Sequence, residues 1–344
     1  MDRRCGGMEF RRGAVLTVPD PPRVGATHAV PSPDSHDLDT WIEAFRQTSG
    51  WQQPGITPLA DQLIVAKDQP PALVVLVGID RYPPFAIRTA IQRTWPREAI
   101  AGLQLIRSIV GTPPAIATLP RSVPGLAVIR RNAREHNIKR LALDPIYPVA
   151  DPTLVAWHAA TAGRRKLRPG QNPAEVGLVL IDPWLCVRLG RWLHNKTLDT
   201  ARPVWIARHP DDCRGSIHWL TPGQIPQQLL TPEGRAILGD PLSGVPMNPQ
   251  AGIPADAETA FIAPASKPAP APEPCITCGW CAEVCPTHLR PIELVRRIDA
   301  GKTDSPSLDW CLDCGLCTRV CPSGIDLATP LRSRHNANGG TDDG

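Results

Sequence analysis

The chain has 344 residues, a formal net charge of +4, 41 prolines and 11 cysteines. That length gives room for two or three domains and a substantial core, which excludes a lone ferredoxin-sized carrier. The small basic excess carries no basic run interleaved with aromatics, Arg164-Arg165-Lys166 being a short solvated turn, so no nucleic-acid partner is expected; the longest apolar stretch, Ala72 to Gly78, excludes a transmembrane helix.

Residues 1–70 are rich in proline, glycine and short polar residues. They predict an extended, partly ordered segment with one helix-like patch around Asp39 to Arg46, where Trp41, Ile42 and Phe45 recur. Arg11-Arg12 is followed by an apolar stretch that stops at Pro19-Asp20-Pro21-Pro22, too short for a twin-arginine export signal.

From Pro71 the pattern alternates. Ala72 to Gly78 reads as a buried parallel strand, followed by helices over 84–94 and from Pro96 to Val110. Further strands are predicted at 115–119, 140–144 and 176–181, and further helices at 126–136, 152–162 and 183–193. Strand, crossover helix and strand again predict a Rossmann-like α/β domain over 71–200. Residues 201–262 predict a small β-grasp-like module, with short strands at 203–207 and 216–220, a helix over 222–230 and turns through Pro254. The stretch 263–274 reads as a semi-rigid Pro/Ala linker that lets the C-terminal region swing, and 336–344 as a disordered tail.

Eight cysteines lie beyond the linker, in two copies of C-x2-C-x2-C-x3-C-P: Cys275, Cys278, Cys281 and Cys285, then Cys311, Cys314, Cys317 and Cys321. In this run three thiolates on a tight loop reach three corners of one 4Fe-4S cube, and the fourth, expected at the start of a helix, ligates the other cube. The ligand sets expected over 275–335 are therefore Cys275, Cys278, Cys281 and Cys321 for one cluster, and Cys311, Cys314, Cys317 and Cys285 for the second. Gly279 and Gly315 allow the positive φ that curls N–H groups toward sulfur, and Pro286 and Pro322 follow the last ligands. Zinc, which takes four ligands in two separated pairs, and a secreted disulfide framework both fit this spacing poorly. Trp280 and Trp310 are read as shields for the clusters, and 291–298 as a helix with Ile292, Val295 and Ile298 on one face. The other three cysteines, Cys5, Cys186 and Cys213, have no spacing pattern and read as plain thiols. Thiols that must take up iron need a reducing compartment, which predicts the cytoplasm.

No strand is followed by Gly-x-Gly-x-x-Gly or by a P-loop. Asp80, Asp144 and Asp182, each just after a strand, read as turn or cap residues.

The two cysteine runs, with Gly239-Asp-Pro-Leu-Ser-Gly-Val-Pro-Met247 and the order of strands, resemble the RnfC family of the Rnf ion-translocating electron-transport complex. That family is related to the flavin-carrying subunit of respiratory complex I and to the cobalamin reductase of propanediol utilisation. The resemblance implies a peripheral subunit on the cytoplasmic face of membrane-embedded redox partners, with an α/β domain that can hold FMN and NADH. The chain departs from the family where a Gly-Gly-x-Gly-Phe-Pro-Thr loop and a Glu-Cys-Glu-Pro loop are expected. It has Gln53-Pro-Gly-Ile-Thr-Pro58 and Ile79-Asp-Arg-Tyr-Pro-Pro84 there, which weighs against FMN and NADH. The expectation is an electron carrier with two 4Fe-4S clusters and a redox partner protein or complex; the rivals are an NADH/flavin oxidoreductase and an assembly subunit with structural clusters.

Overall fold

The computed structural model describes residues 18–19, 31–33, 35, 37–47, 51–121, 123, 125–168, 171–195, 199–209, 215–230, 234–264, 271–302 and 306–339. Two helices come first, α1 (Leu38–Arg46) and α2 (Leu59–Asp68). The Asp37 carboxylate caps α1 by accepting from the Asp39 and Thr40 amides, which sets Trp41, Ile42 and Phe45 facing the core. The second helix corrects the extended reading of residues 1–70. Its inward face includes Gln62, and a buried polar residue there hides the apolar period from the sequence.

Four strands, β1 (Leu73–Val77), β2 (Ala115–Pro120), β3 (Lys139–Leu143) and β4 (Leu178–Ile181), form an all-parallel sheet in the order β3-β2-β1-β4. This is the Rossmann-like layer expected from the alternating pattern. Successive side chains of β1 point to opposite faces: Val74 and Leu76 join the core under the helices α3 (Ile87–Thr94), α4 (Pro96–Ile109), α5 (Ala127–Glu135) and α7 (Pro183–Asn195). Leu73, Val75 and Val77 pack on the other side against Val155, Ala156, Ala159 and Ala160 of α6 (Pro152–Ala162). The outer edge of β4 is covered by the Gln62 amide, which accepts from the Leu180 N–H (2.7 Å) and donates to the Leu180 carbonyl (2.9 Å).

The second sheet contains β5 (Arg202–Ala207), β6 (Ser216–Leu220), β7 (Gly234–Leu238), β8 (Val245–Pro246) and β9 (Thr259–Pro264), in the order β6-β5-β9-β7-β8. Its central pair β5 and β9 is parallel and the rest antiparallel, the strand arrangement of a β-grasp sheet. Three local expectations need correction. The helix predicted over 222–230 is only the 3-10 turn Gln227–Leu229, and the turn-rich stretch to Pro254 contains β7 and β8. The strand β9 extends through Pro264, past the predicted start of the linker.

The C-terminal region is built from short helices, α8 (Trp280–Glu283), α9 (Pro291–Asp299), α10 (Leu316–Arg319) and α11 (Ala328–Gly339). Leu289, Leu294, Val295, Leu308, Leu327 and Leu331 make its core, with Ile292 and Ile298 packed against it. The helix α11 continues to Gly339, where a disordered tail was expected from 336. Cys5, Cys213 and residues 265–270 of the expected linker lie outside the described residues. Among the described residues no helix is long and apolar enough to cross a membrane.

Candidate metal centre

The two cysteine runs fold as matched loops. Thr277 (φ +56°) and Gly279 (φ +80°) flank Cys278, and Asp313 (φ +50°) and Gly315 (φ +74°) flank Cys314 in the same way. His288 (φ +58°) and Gly324 (φ +65°) repeat the match three residues after Cys285 and Cys321. Left-handed residues interleaved with right-handed ones turn successive N–H groups inward, making a concave nest for negative charge. Each glycine then opens a one-turn helix that carries the third cysteine, α8 for Cys281 and α10 for Cys317. The fourth cysteines, Cys285 and Cys321, lie just past the C-terminal ends of these helices rather than at a helix start as expected.

The geometry brings together Cys275, Cys278, Cys281 and Cys321. These four line one cavity of about 340 Å³, with Ile276, Ile292 and Ile325 around them. Cys285 and Cys281 both lie near enough to Cys317 to act on its charge, Cys285 and Cys317 act likewise on Cys314, and Cys314 on Cys311. Among the described residues no three His, Cys, Asp or Glu side chains converge on a point that would hold a single metal ion. Four thiols set round a volume are the arrangement a polynuclear cluster needs.

The thiols of the second run are largely enclosed. Burial pushes the Cys311 thiol up to about 12 and the Cys314 thiol up to about 11, while N–H groups of Asp313 and Leu316 act in the opposite direction. Burial also raises Cys317, against the Thr318 N–H. The Leu289 N–H already donates to Cys285 Sγ at 3.3 Å. These residues fit an iron–sulfur cluster.

A family model described as a 4Fe-4S dicluster domain matches residues 274–325. The C-terminal module is an iron–sulfur electron-transfer domain. Comparison with curated proteins gives no match. Among solved structures, a chain of NAD+-reducing NiFe hydrogenase in the air-oxidised state superposes with a TM-score of 0.51 at 16% identity, covering 88% of this chain and 63% of that one. A chain of the same kind of enzyme in the H2-reduced state gives 0.55 at 14% identity, covering 88% and 61%. At these identities the likeness is one of fold, and the chain spans less than two thirds of the length of the chains it matches.

The C-terminal domain contacts the rest of the chain at its second cysteine loop. The Tyr147 hydroxyl donates to the Cys314 carbonyl at 2.6 Å, and a Cβ on Gly315 would lie 2.2 Å from the Leu242 carbonyl. The other end of the domain faces outward: Cys278 is exposed, with Ile276 (64% exposed) and Trp280 (45%) beside it. Trp280 and Trp310 (40%) are both partly exposed.

At the carboxyl ends of β1 and β4, where an open parallel sheet places its ligands, several polar side chains bond to neighbouring protein groups. Asp80 accepts from the Arg88 and Thr89 amides at the start of α3, and Asp182 accepts from the Trp184 and Leu185 amides of α7. The Gln92 amide donates to the Gly78 carbonyl at 2.6 Å and occupies the space above that glycine. Arg88 is paired with Glu258 at 2.5 Å. Asp144, read as a turn or cap residue, accepts from the Ile146 amide through its carbonyl and pairs with Arg121 at the surface. Tyr147 is invisible in the sequence: no local signal marks an aromatic residue that acts on a loop 167 positions away.

Proposed function

We propose that this protein is a one-electron relay of the RnfC type, a divergent member of that family, which exchanges electrons with a redox partner protein or complex. What supports the reading is one set of four thiols, Cys275, Cys278, Cys281 and Cys321, round a cavity of about 340 Å³, in the first of two cysteine loops with matched backbone conformation. The proposed ligands are Cys275, Cys278, Cys281 and Cys321 for an outer cluster, and Cys311, Cys314, Cys317 and Cys285 for an inner one. Bound clusters supply reversible one-electron reduction. The chain's own groups do the rest: thiolates anchor, amides stabilise the added charge, and the apolar packing of Leu289, Leu294 and Leu327 limits water.

The outer set, with Ile276 and Trp280 exposed beside it, faces the partner, and the inner set abuts the α/β body. In this reading the body is a docking scaffold, and the chain docks on the cytoplasmic face of a membrane-embedded Rnf-like partner. The likeness to a chain of an NAD+-reducing hydrogenase favours a second reading, an NADH-linked oxidoreductase. Anaerobic purification tests both. The relay predicts about eight irons per chain, a visible absorption that bleaches with a strong reductant, and no bleaching or dye reduction with NADH. Turnover of NADH with bound flavin would select the second reading, and zinc in place of iron would end both.

A further inference from the structure

The inner cysteine loop accepts a side-chain hydrogen bond from outside its own domain. The Cys314 carbonyl accepts the Tyr147 hydroxyl, which comes from the segment joining β3 to α6 of the parallel sheet. Tyr147 is itself fixed by edge-to-face packing on Tyr82 (centroids 6.1 Å apart), which packs in turn on Phe85 (4.9 Å). On the other flank the loop backbone lies against the Leu242 carbonyl at Gly315, and the turn bearing Leu242 is held by Asp240, which accepts from the Leu242 and Ser243 amides at 2.9 Å. Within the domain the neighbouring Asp313 carbonyl accepts from Arg332 at 3.2 Å. The matching outer loop has its Gly279 open, with no atom near an added Cβ. Two loops of one design therefore sit in different surroundings.

We infer that Tyr147 is a positioning residue for the inner cluster: through the Cys314 carbonyl it sets that cluster's reduction potential apart from its outer twin. The inference rests on the two-cluster reading. Two effects act in the same direction. A phenol O–H pointing its positive end at the ligand peptide favours the extra negative charge of the reduced state, which raises the potential. A hydrogen bond at the carbonyl also polarises the same peptide's N–H at Gly315, making it a stronger donor within the loop. Tyr147 neither ligates nor reacts; it acts through the peptide it holds.

The sequence contains two tyrosines, Tyr82 and Tyr147, which makes a test with both signs possible. In the full-length protein with its clusters loaded, redox titration followed by electron paramagnetic resonance resolves the two centres. Tyr147→Phe removes only the hydroxyl, and the expected result is a lower potential and altered spectrum for one centre with the other unchanged. In a Tyr82→Phe background, 3-fluorotyrosine labels Tyr147 alone and is the better donor, so the same centre should shift upward relative to unlabelled Tyr82→Phe. Unshifted potentials, or shifts of the same sign in both proteins, overturn the inference while leaving the two-cluster reading standing. Should Tyr147→Phe fail to load, the fluorotyrosine protein decides alone, and no upward shift there overturns it. Wild-type protein without iron would instead remove the reading beneath it.

Discussion

Asp80 is enclosed at the end of β1, and burial raises its carboxyl from 3.8 to about 7, with the Glu258 charge adding to the effect and hydrogen bonds from Thr89 opposing it. A carboxyl raised in the folded state contributes stability that is fully present below its unfolded value and is lost as pH rises through the folded one. Unfolding free energy should therefore fall between about pH 4 and pH 7, by roughly 2–4 kcal/mol from this group. Asp80→Asn keeps an acceptor for the Arg88 and Thr89 amides but cannot ionise, so urea titrations across that range should give a flatter profile than wild type. The cysteines allow a second test at this scale. If Cys285 belongs to the set of Cys311, Cys314 and Cys317, then Cys285→Ala should perturb or remove the inner cluster and leave the outer one's resonance intact. Loss of the outer signal instead would reverse the assignment.

At the scale of elements, the tightest contact is the crossing of α4 and α7. A Cβ on Gly102 would lie 1.9 Å from the Cys186 carbonyl, and one on Gly190 2.0 Å from the Glu98 carbonyl. Backbone approaches this close leave no room for even a methyl group. Gly102→Ala should force the helices apart and cost about 1–3 kcal/mol or more, read as a lower thermal midpoint, while the cluster signals at the far domain keep their shape. The same crossing seals Cys186 as a buried thiol, and burial raises it well above its ordinary value, so it should resist alkylation until the protein unfolds. The elements legible in the sequence were those with a clean local period: β1, α4 and α6 fall within a residue or two of expectation. The strands β7 and β9 were missed because they are defined by pairing with each other and with β5, partners that no local window contains.

Across the whole molecule, the two sheets are joined by the Arg88–Glu258 pair, in which the guanidinium is 1% and the carboxylate 9% exposed. Removing one partner leaves an uncompensated buried charge, so Glu258→Gln should destabilise by about 3–5 kcal/mol, whereas replacing both with apolar residues of like volume should cost far less. Chemical denaturation of the single and double variants checks this. The cysteine spacing determined the chemistry of the C-terminal domain by itself, because the short reach from Cys275 to Cys281 is enough to curl thiols round a cluster, and strand–helix alternation determined the parallel layer for the same local reason. Only the tertiary structure decided that Arg88 meets Glu258, that Gln92 meets the Gly78 carbonyl, and that Tyr147 meets Cys314. Those contacts join residues far apart in the chain, and their energies depend on burial and on distances that exist only once the layers have packed.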